Sequence, residues 1–319
     1  MSGLLSRIVG AVVATAALAA PALAQSWPEK PVRMIVGYGA GGGTDQQARA
    51  LSKILSEQLG QPFVVENKPG GGGAVGAMLA KAAPADGYTL YFTTSTTYTF
   101  EPLFAKVGYG ASDLRHVAVV AQFQEAMVAS PKAPWKDFRE MVEKAKAEKR
   151  DIKYASFYQL DRVIMAAIAK SAGIRIVPVP VQSGNGVVTA VMGEQVDFGF
   201  TGGSWGPFVQ SGQLKLLAAG PSDRFADYPQ VPTLKDLGYD VITEVYTLVS
   251  VPKDTPEPVV KKIEAAITQA AGNPAYVDAV VNVGKMRHIV AGEKQSSEMV
   301  QRQEAYYRKL AESVGQGGN

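Results

Sequence analysis

Cysteine is missing from all 319 residues, and histidine occurs only twice, at His116 and His288. Disulfides, thiolate nucleophiles, thiolate zinc sites and cysteine–histidine dyads are excluded together. The two histidines stand far apart. No H-E-x-x-H or G-x-S-x-G occurs and the acids are scattered, so a hydrolase lacks both a nucleophile motif and a base. Basic clusters are absent as well. The 32 Lys and Arg against 29 Asp and Glu leave a net charge of +3 with no local excess, which gives no nucleic-acid surface. Long apolar runs are lacking too: Ile8 to Ala20 falls short of the roughly 20 residues a membrane-spanning helix needs, and no later segment reaches that length without charges.

What remains is globular: 46% hydrophobic and 19% charged residues, with mean hydropathy of zero, in a chain long enough for two cores. Arg7, the run to Ala20, Pro21 and the small-x-small sequence Ala22-Leu23-Ala24 read as a secretory signal over residues 1–24. The mature chain is expected to begin near Gln25 and to be soluble in the periplasm.

Val32 to Tyr38 is an apolar run ending in glycines, after which Ala48, Leu51, Ile54, Leu55 and Leu59 recur at helical spacing until Gly60. Pro62 to Glu66 and Tyr88 to Thr93 read as strands around a helix at 74–83. A helix with Phe138, Met141, Val142 and Ala145 inward opens a second set, with strands at 152–156, 174–181, 196–201 and 214–219. After a strand at 246–251 come three terminal helices, expected to cover the first sheet. Alternation of this kind predicts α/β architecture, two lobes each with a mainly parallel sheet flanked by helices. No Pro- or Ser-rich linker separates them, so chain crossings are expected to join them.

Gly37-Tyr38-Gly39-Ala40-Gly41-Gly42 fits the dinucleotide pattern G-x-G-x-x-G, but an exported protein has little access to such a cofactor. The phosphate-loop pattern fails because Gly43 stands where lysine is required. Both patterns share a helix start near Thr44 with unpaired backbone N–H groups, a positive dipole end and glycines that admit a ligand closely. Asp45 disfavours dense charge and leaves a carboxylate as the best guess. The alternative is a turn that only closes a strand onto a helix. Thr93 to Thr97 follow a strand on the same sheet edge and bring hydroxyls, or simply favour extended structure. No cofactor and no metal is expected.

The chain resembles the Bug family, the substrate receptors of tripartite tricarboxylate transporters. The resemblance rests on Pro31 to Val36 running into Gly41-Gly42-Gly43-Thr44-Asp45, on Val64 to Gly70, and on Ala82 to Leu90. Lys153 to Ser156, Gly193 to Asp197, Asp227 to Thr233 and Val251-Pro252 follow in order. It implies a flytrap-like type II binding protein that performs no chemistry and acts as a monomer. Lobe 1 is 25–124 plus 247–319, and lobe 2 is 125–246. A small di- or tricarboxylate or aromatic acid would sit between them, for uptake by membrane transporter subunits or for signalling to a membrane partner. The resemblance places the ligand's carboxylate at Tyr38, Gly42, Gly43, Thr44 and Asp45, partly through ordered water, with Thr93, Ser95 and Thr96 beside them. Ser156, Gln182, Ser183, Gly184, Thr201 and Gly203 would face them from lobe 2.

The chain departs from the family pattern at Phe157 to Arg162, where a glycine- and serine-rich turn is usual, and at Gln182-Ser183, where an aromatic and a cation are lost. Phe157, Tyr158 and Trp205 would stack on an aromatic or bulkier acid, and Arg162 would take a distal carboxylate. Alternatively Phe157 and Tyr158 belong to the second core, and Arg162 pairs with Asp161 or solvent.

Overall fold

A computed structural model describes residues 27–315. The expected signal at 1–24 lies outside the described residues. Strand β1 (Val32–Val36) is buried on nearly every side chain, as a strand covered on both faces must be. The glycine turn then leads into α1 (Gly43–Leu59), whose Ala48, Leu51, Ile54 and Leu55 pack on the sheet. Gly60 stops this helix in the left-handed region at φ 67°, its N–H bonded to Ser56 O at 3.0 Å. Next come β2 (Phe63–Asn67), α2 (Ala74–Lys81), β3 (Thr89–Thr94) and the short α3 (Thr96–Thr99).

β4 (Leu114–Gln122) closes that run, and β5 (Glu125–Ala129) opens the second sheet. Then follow α4 (Phe138–Glu148), β6 (Ile152–Ser156), α5 (Gln159–Ala172), β7 (Ile176–Pro180), α6 (Gly184–Met192), β8 (Phe198–Gly202), α7 (Gly206–Gln210) and β9 (Lys215–Ala219). The chain returns through β10 (Tyr246–Pro252), α8 (Glu257–Ala271), α9 (Pro274–Asp278), β11 (Arg287–Ala291) and α10 (Glu293–Ser313).

The first sheet has the order β11-β4-β10-β3-β1-β2, the second β7-β6-β8-β5-β9. Only β2-β1-β3 and β7-β6-β8 run parallel; β10, β4 and β11, and β5 and β9, pair antiparallel. The sheets are therefore mixed, where the sequence suggested mainly parallel ones. The reason is the crossings: β4 passes into β5, and β10 comes back, with no helix to reverse direction between sheets.

Two residues, Phe123 and Gln124, separate β4 from β5. The returning segment lies beside them: Phe123 N donates to Val245 O, Gly220 N to Glu125 O and Thr243 N to Gly220 O, each at 2.8 Å. Strands β4, β5 and β11 and helix α3 were not anticipated from the sequence. Helix α10 also differs from expectation. Val300 packs on the first sheet, but Tyr307 and Leu310 enter the core of the second. Its 21 residues rise about 31 Å, enough to reach both.

Candidate functional site

Helix α1 starts without a side-chain cap. Gly42 at its N-cap is extended (φ −75°, ψ 164°), and no side chain bonds to the first amides. Gly41, Gly42 and Gly43 are exposed. A helix start of this kind offers N–H donors and the positive end of the dipole to an anion. A Cβ on Gly43 would lie 3.1 Å from Met286 Cε and 3.9 Å from Phe123 Cε1, so those two side chains border the face an incoming group would use.

Asp45 has a task of its own. One oxygen accepts from Gly41 N at 2.8 Å and from Arg49 Nε at 2.9 Å, and the other from Asn67 Nδ2 at 2.8 Å. Asn67 also donates to Tyr38 O, so it ties β2 to the glycine turn. Burial pushes the Asp45 pKa up, but the Arg49, Gly41 and Asn67 donors outweigh this and hold it below the ordinary carboxylate value. The structure thus assigns Asp45 to shaping the turn, whereas the sequence put it beside the ligand. Thr44 is buried behind the turn.

The hydroxyl loop forms a lattice. Tyr38 Oη lies 2.6 Å from Thr94 Oγ1 and donates to Gly72 O; Thr94 and Thr96 hydroxyls are 2.7 Å apart, and those of Thr93 and Thr97 2.8 Å. Ser95 accepts from Tyr246 N and donates its own N–H to Tyr246 O. Tyr38, Thr93, Ser95 and Thr96 are therefore brought together as a wall behind the turn, with their hydroxyls engaged by protein partners.

In the second lobe, Asp161 organises the loop after β6. It accepts from Tyr154 Oη, Ser156 Oγ, Phe157 N and Tyr158 N. Ser156 Oγ accepts in turn from Arg162 Nε at 3.1 Å. Arg162 is exposed and has no carboxylate within 4.0 Å among the described residues. Tyr158 stacks on Phe200 and both pack in the second core, the alternative the sequence had left open. Phe157 lies against the opposite face.

Trp205 is a correction. It is 2% exposed, stacked on Phe225 at 5.2 Å, and donates Nε1–H to Gln124 O at 2.8 Å. An indole so enclosed offers no face for stacking on a ligand. Ser183 caps α6 by accepting from Gly186 N, and Gln182 beside it is exposed. The Thr201 hydroxyl is buried without a partner and would lie 2.9 Å from a Cβ on Gly184. Gly203, at φ +93°, passes close to Gly284 O of the first lobe.

The lobes therefore meet at Gly203, and also where Arg287 pairs with Asp223 at 2.8 Å; beside them Gln124 Nε2, at the end of the first lobe's leading segment, donates to Lys285 O of the same lobe. Sequence reasoning missed Phe123, Gln124, Lys285 and Met286 because nothing in their local pattern shows which loop crosses which. Asn67 was missed as well, although a signal existed: a polar residue ending a strand beside a glycine turn is placed to bond it. No group of three or more potential metal ligands occurs among the described residues.

The sequence pattern of the tripartite tricarboxylate transporter family receptors matches residues 47–315. The chain belongs to that family. A UPF0065 protein of Bordetella bronchiseptica is 31% identical over 98% of this chain and 94% of its own. The structure of a periplasmic transporter is 29% identical and superposes with a TM-score of 0.78 over 90% of this chain and 97% of that one. An R. palustris protein with adipate, 22% identical, shares the fold at a TM-score of 0.79 over 91% and 99%. Among these receptors the two-lobed α/β architecture is the common frame, and no helix among the described residues here is long and apolar enough to cross a membrane.

Proposed function

We propose that this receptor captures a small organic carboxylate between lobe 1 (25–124 plus 247–319) and lobe 2 (125–246) in the periplasm and presents it to membrane transporter subunits. The observation that carries the reading is the uncapped, glycine-faced start of α1, open to an anion and held in shape by Asp45. The adipate held by the R. palustris relative supports the same class of ligand. Gly42, Gly43 and Thr44 would supply main-chain donors; from the second lobe Gly184, Thr201 and the exposed Arg162 would face them.

Micromolar binding needs about 8 kcal/mol, and hydrogen bonds to a charged group contribute on the order of 1.5 to 3 kcal/mol each. Three or four to one carboxylate nearly suffice before association costs, so closure of lobe 2 must add contacts and exclude water. Membership of a receptor family and a site built from main-chain hydrogen-bond donors support binding without turnover.

A thermal-shift screen of the mature protein against mono-, di- and aromatic carboxylates tests this. A true ligand at 100 times its Kd should stabilise by about 2.7 kcal/mol. Gly43→Val should abolish the shift by obstructing close approach. A set of acids that leaves the melting temperature unmoved, or an unchanged shift in Gly43→Val, removes the α1 start from the site.

A further inference from the structure

Gln47 lies in the second turn of α1, on the side where Ala48, Leu51, Ile54 and Leu55 enter the core, and is itself 2% exposed. Its Nε2 donates to Gly43 O at 3.2 Å and to Met286 Sδ at 3.0 Å, and its Oε1 accepts from Thr247 Oγ1 at 2.9 Å. One buried amide thus ties together three segments that are remote in sequence. None of the three partners depends on it. Gly43 O is the acceptor of the helix's own backbone ladder, Thr247 Oγ1 also reaches Ala121 O at 3.4 Å, and a thioether is only a weak acceptor. An apolar side chain of similar size would fill this place without the cost of burying an amide, so what the amide adds is the fixed relation of the three segments.

Each segment bears on the ligand or on the opening between the lobes. Gly43 is the exposed first residue of α1. Thr247 is buried in β10, two residues after Val245, where the chain returns from lobe 2. Met286 ends the segment 284–286, on which lobe 2 rests: a Cβ on Gly203 would lie 2.9 Å from Gly284 O, and one on Gly206 3.0 Å from Lys285 Cβ. Lys285 is held in the left-handed region at φ +49°, a conformation that a residue with a side chain keeps only where its neighbours fix it. Those neighbours are Gln124, whose Nε2 donates to Lys285 O, and Met286, whose N–H bonds to Val280 O at 3.0 Å and whose sulfur takes the Gln47 amide.

We propose that Gln47 is a positioning residue that couples capture of a carboxylate at the start of α1 to closure of the lobes. This rests on the reading that the ligand's carboxylate is held at that start. An anion drawn onto the first amides shifts the first turn of α1, and a close-packed interior transmits such a shift instead of absorbing it. Gln47 passes it to Met286, and so to the seat of lobe 2, and to β10 beside the crossing. A ligand moves an open–closed equilibrium only through its differential free energy of interaction with the two forms. Through Gln47 that difference arises at the α1 start itself, so an acid too short to touch lobe 2 still draws the lobes together.

Acetate, which cannot bridge the lobes, and adipate, which is long enough to, separate the two routes to closure. The chain has no cysteine, so Lys53→Cys on α1 and Lys146→Cys on α4, both exposed, take a donor and acceptor dye pair that reports lobe separation by energy transfer. The mature protein is measured at saturating acid, with chloride of equal ionic strength as reference, alone and with Gln47→Leu or Met286→Leu added. Acetate should shift the transfer efficiency of the parent. In Gln47→Leu that shift should vanish and acetate affinity fall about fivefold or more, whereas adipate should still shift the efficiency through its own contacts with lobe 2. Met286→Leu keeps the bulk and removes the sulfur acceptor; it should reduce the acetate response with the melting temperature unchanged, and it decides the matter if Gln47→Leu does not fold. Acetate bound with no shift, adipate bound where acetate is not, or an acetate response undiminished in these variants overturns the coupling alone. Binding of neither acid to the parent removes the α1 site, and the coupling with it.

Discussion

At His116 the imidazole rests against the Tyr98 ring, 4.5 Å between centroids, with Nδ1 3.0 Å from Ser250 Oγ. Burial lowers its pKa to about 4, so the neutral ring stabilises the fold above pH 6.5 and that contribution is lost as pH falls toward 4. Glu125 has the opposite slope. Its raised pKa gives stability that is complete below 4.5 and is lost as pH rises to about 8. From pH 5 to 6.5 the two changes are about 2 kcal/mol each and cancel. Urea denaturation should therefore find the ligand-free wild type nearly level over that interval, and His116→Phe falling by about 2 kcal/mol. A variant as level as the wild type would show that these groups do not govern acid stability.

Helix α1 combines a long dipole with a start that no side chain closes. Gly42 already has an extended conformation that other residues adopt without strain, and a Cβ there meets only Gly39 O, at 3.4 Å. Gly42→Asp should place a built-in carboxylate over the first amides, gaining a few tenths of a kcal/mol of stability while competing with the ligand's own. The expected outcome in paired melting and binding measurements is an equal or higher melting temperature with affinity reduced more than tenfold. Loss of both together would mean that the substitution had disturbed the turn and that the amides were not the ligand's donors.

Across the whole molecule, the lobes are connected through two adjacent segments, Phe123–Gln124 and 243–245, and touch at the Gly203 and Gly206 loops. A Cβ on Gly206 would lie 2.3 Å from Lys285 Cγ and 3.0 Å from its Cβ. Gly206→Leu should prop the lobes apart while leaving the cores packed. X-ray scattering should then give a larger radius of gyration than the wild type, with weaker ligand binding and little change in melting temperature. An unchanged radius with unchanged affinity would show that this edge does not set closure.

The sequence alone determined the two sheets' parallel units, the glycine turn before α1 and the absence of thiol chemistry, because these depend on local periodicity, turn residues and residue inventory. Trp205, Ser156 and Asp45 show where that reading stops. Each is a plausible ligand group by type, yet each is occupied by partners far along the chain or on another element: Gln124 for the indole, Arg162 and Asp161 for the hydroxyl, Asn67 for the carboxylate. The same holds for Glu125, which is ordinary in sequence and exceptional only because folding buries it beside Asp161 without a cation. Which polar atoms remain free is a property of three-dimensional pairing, since a donor or acceptor is available to a ligand only after the rest of the chain has left it unsatisfied.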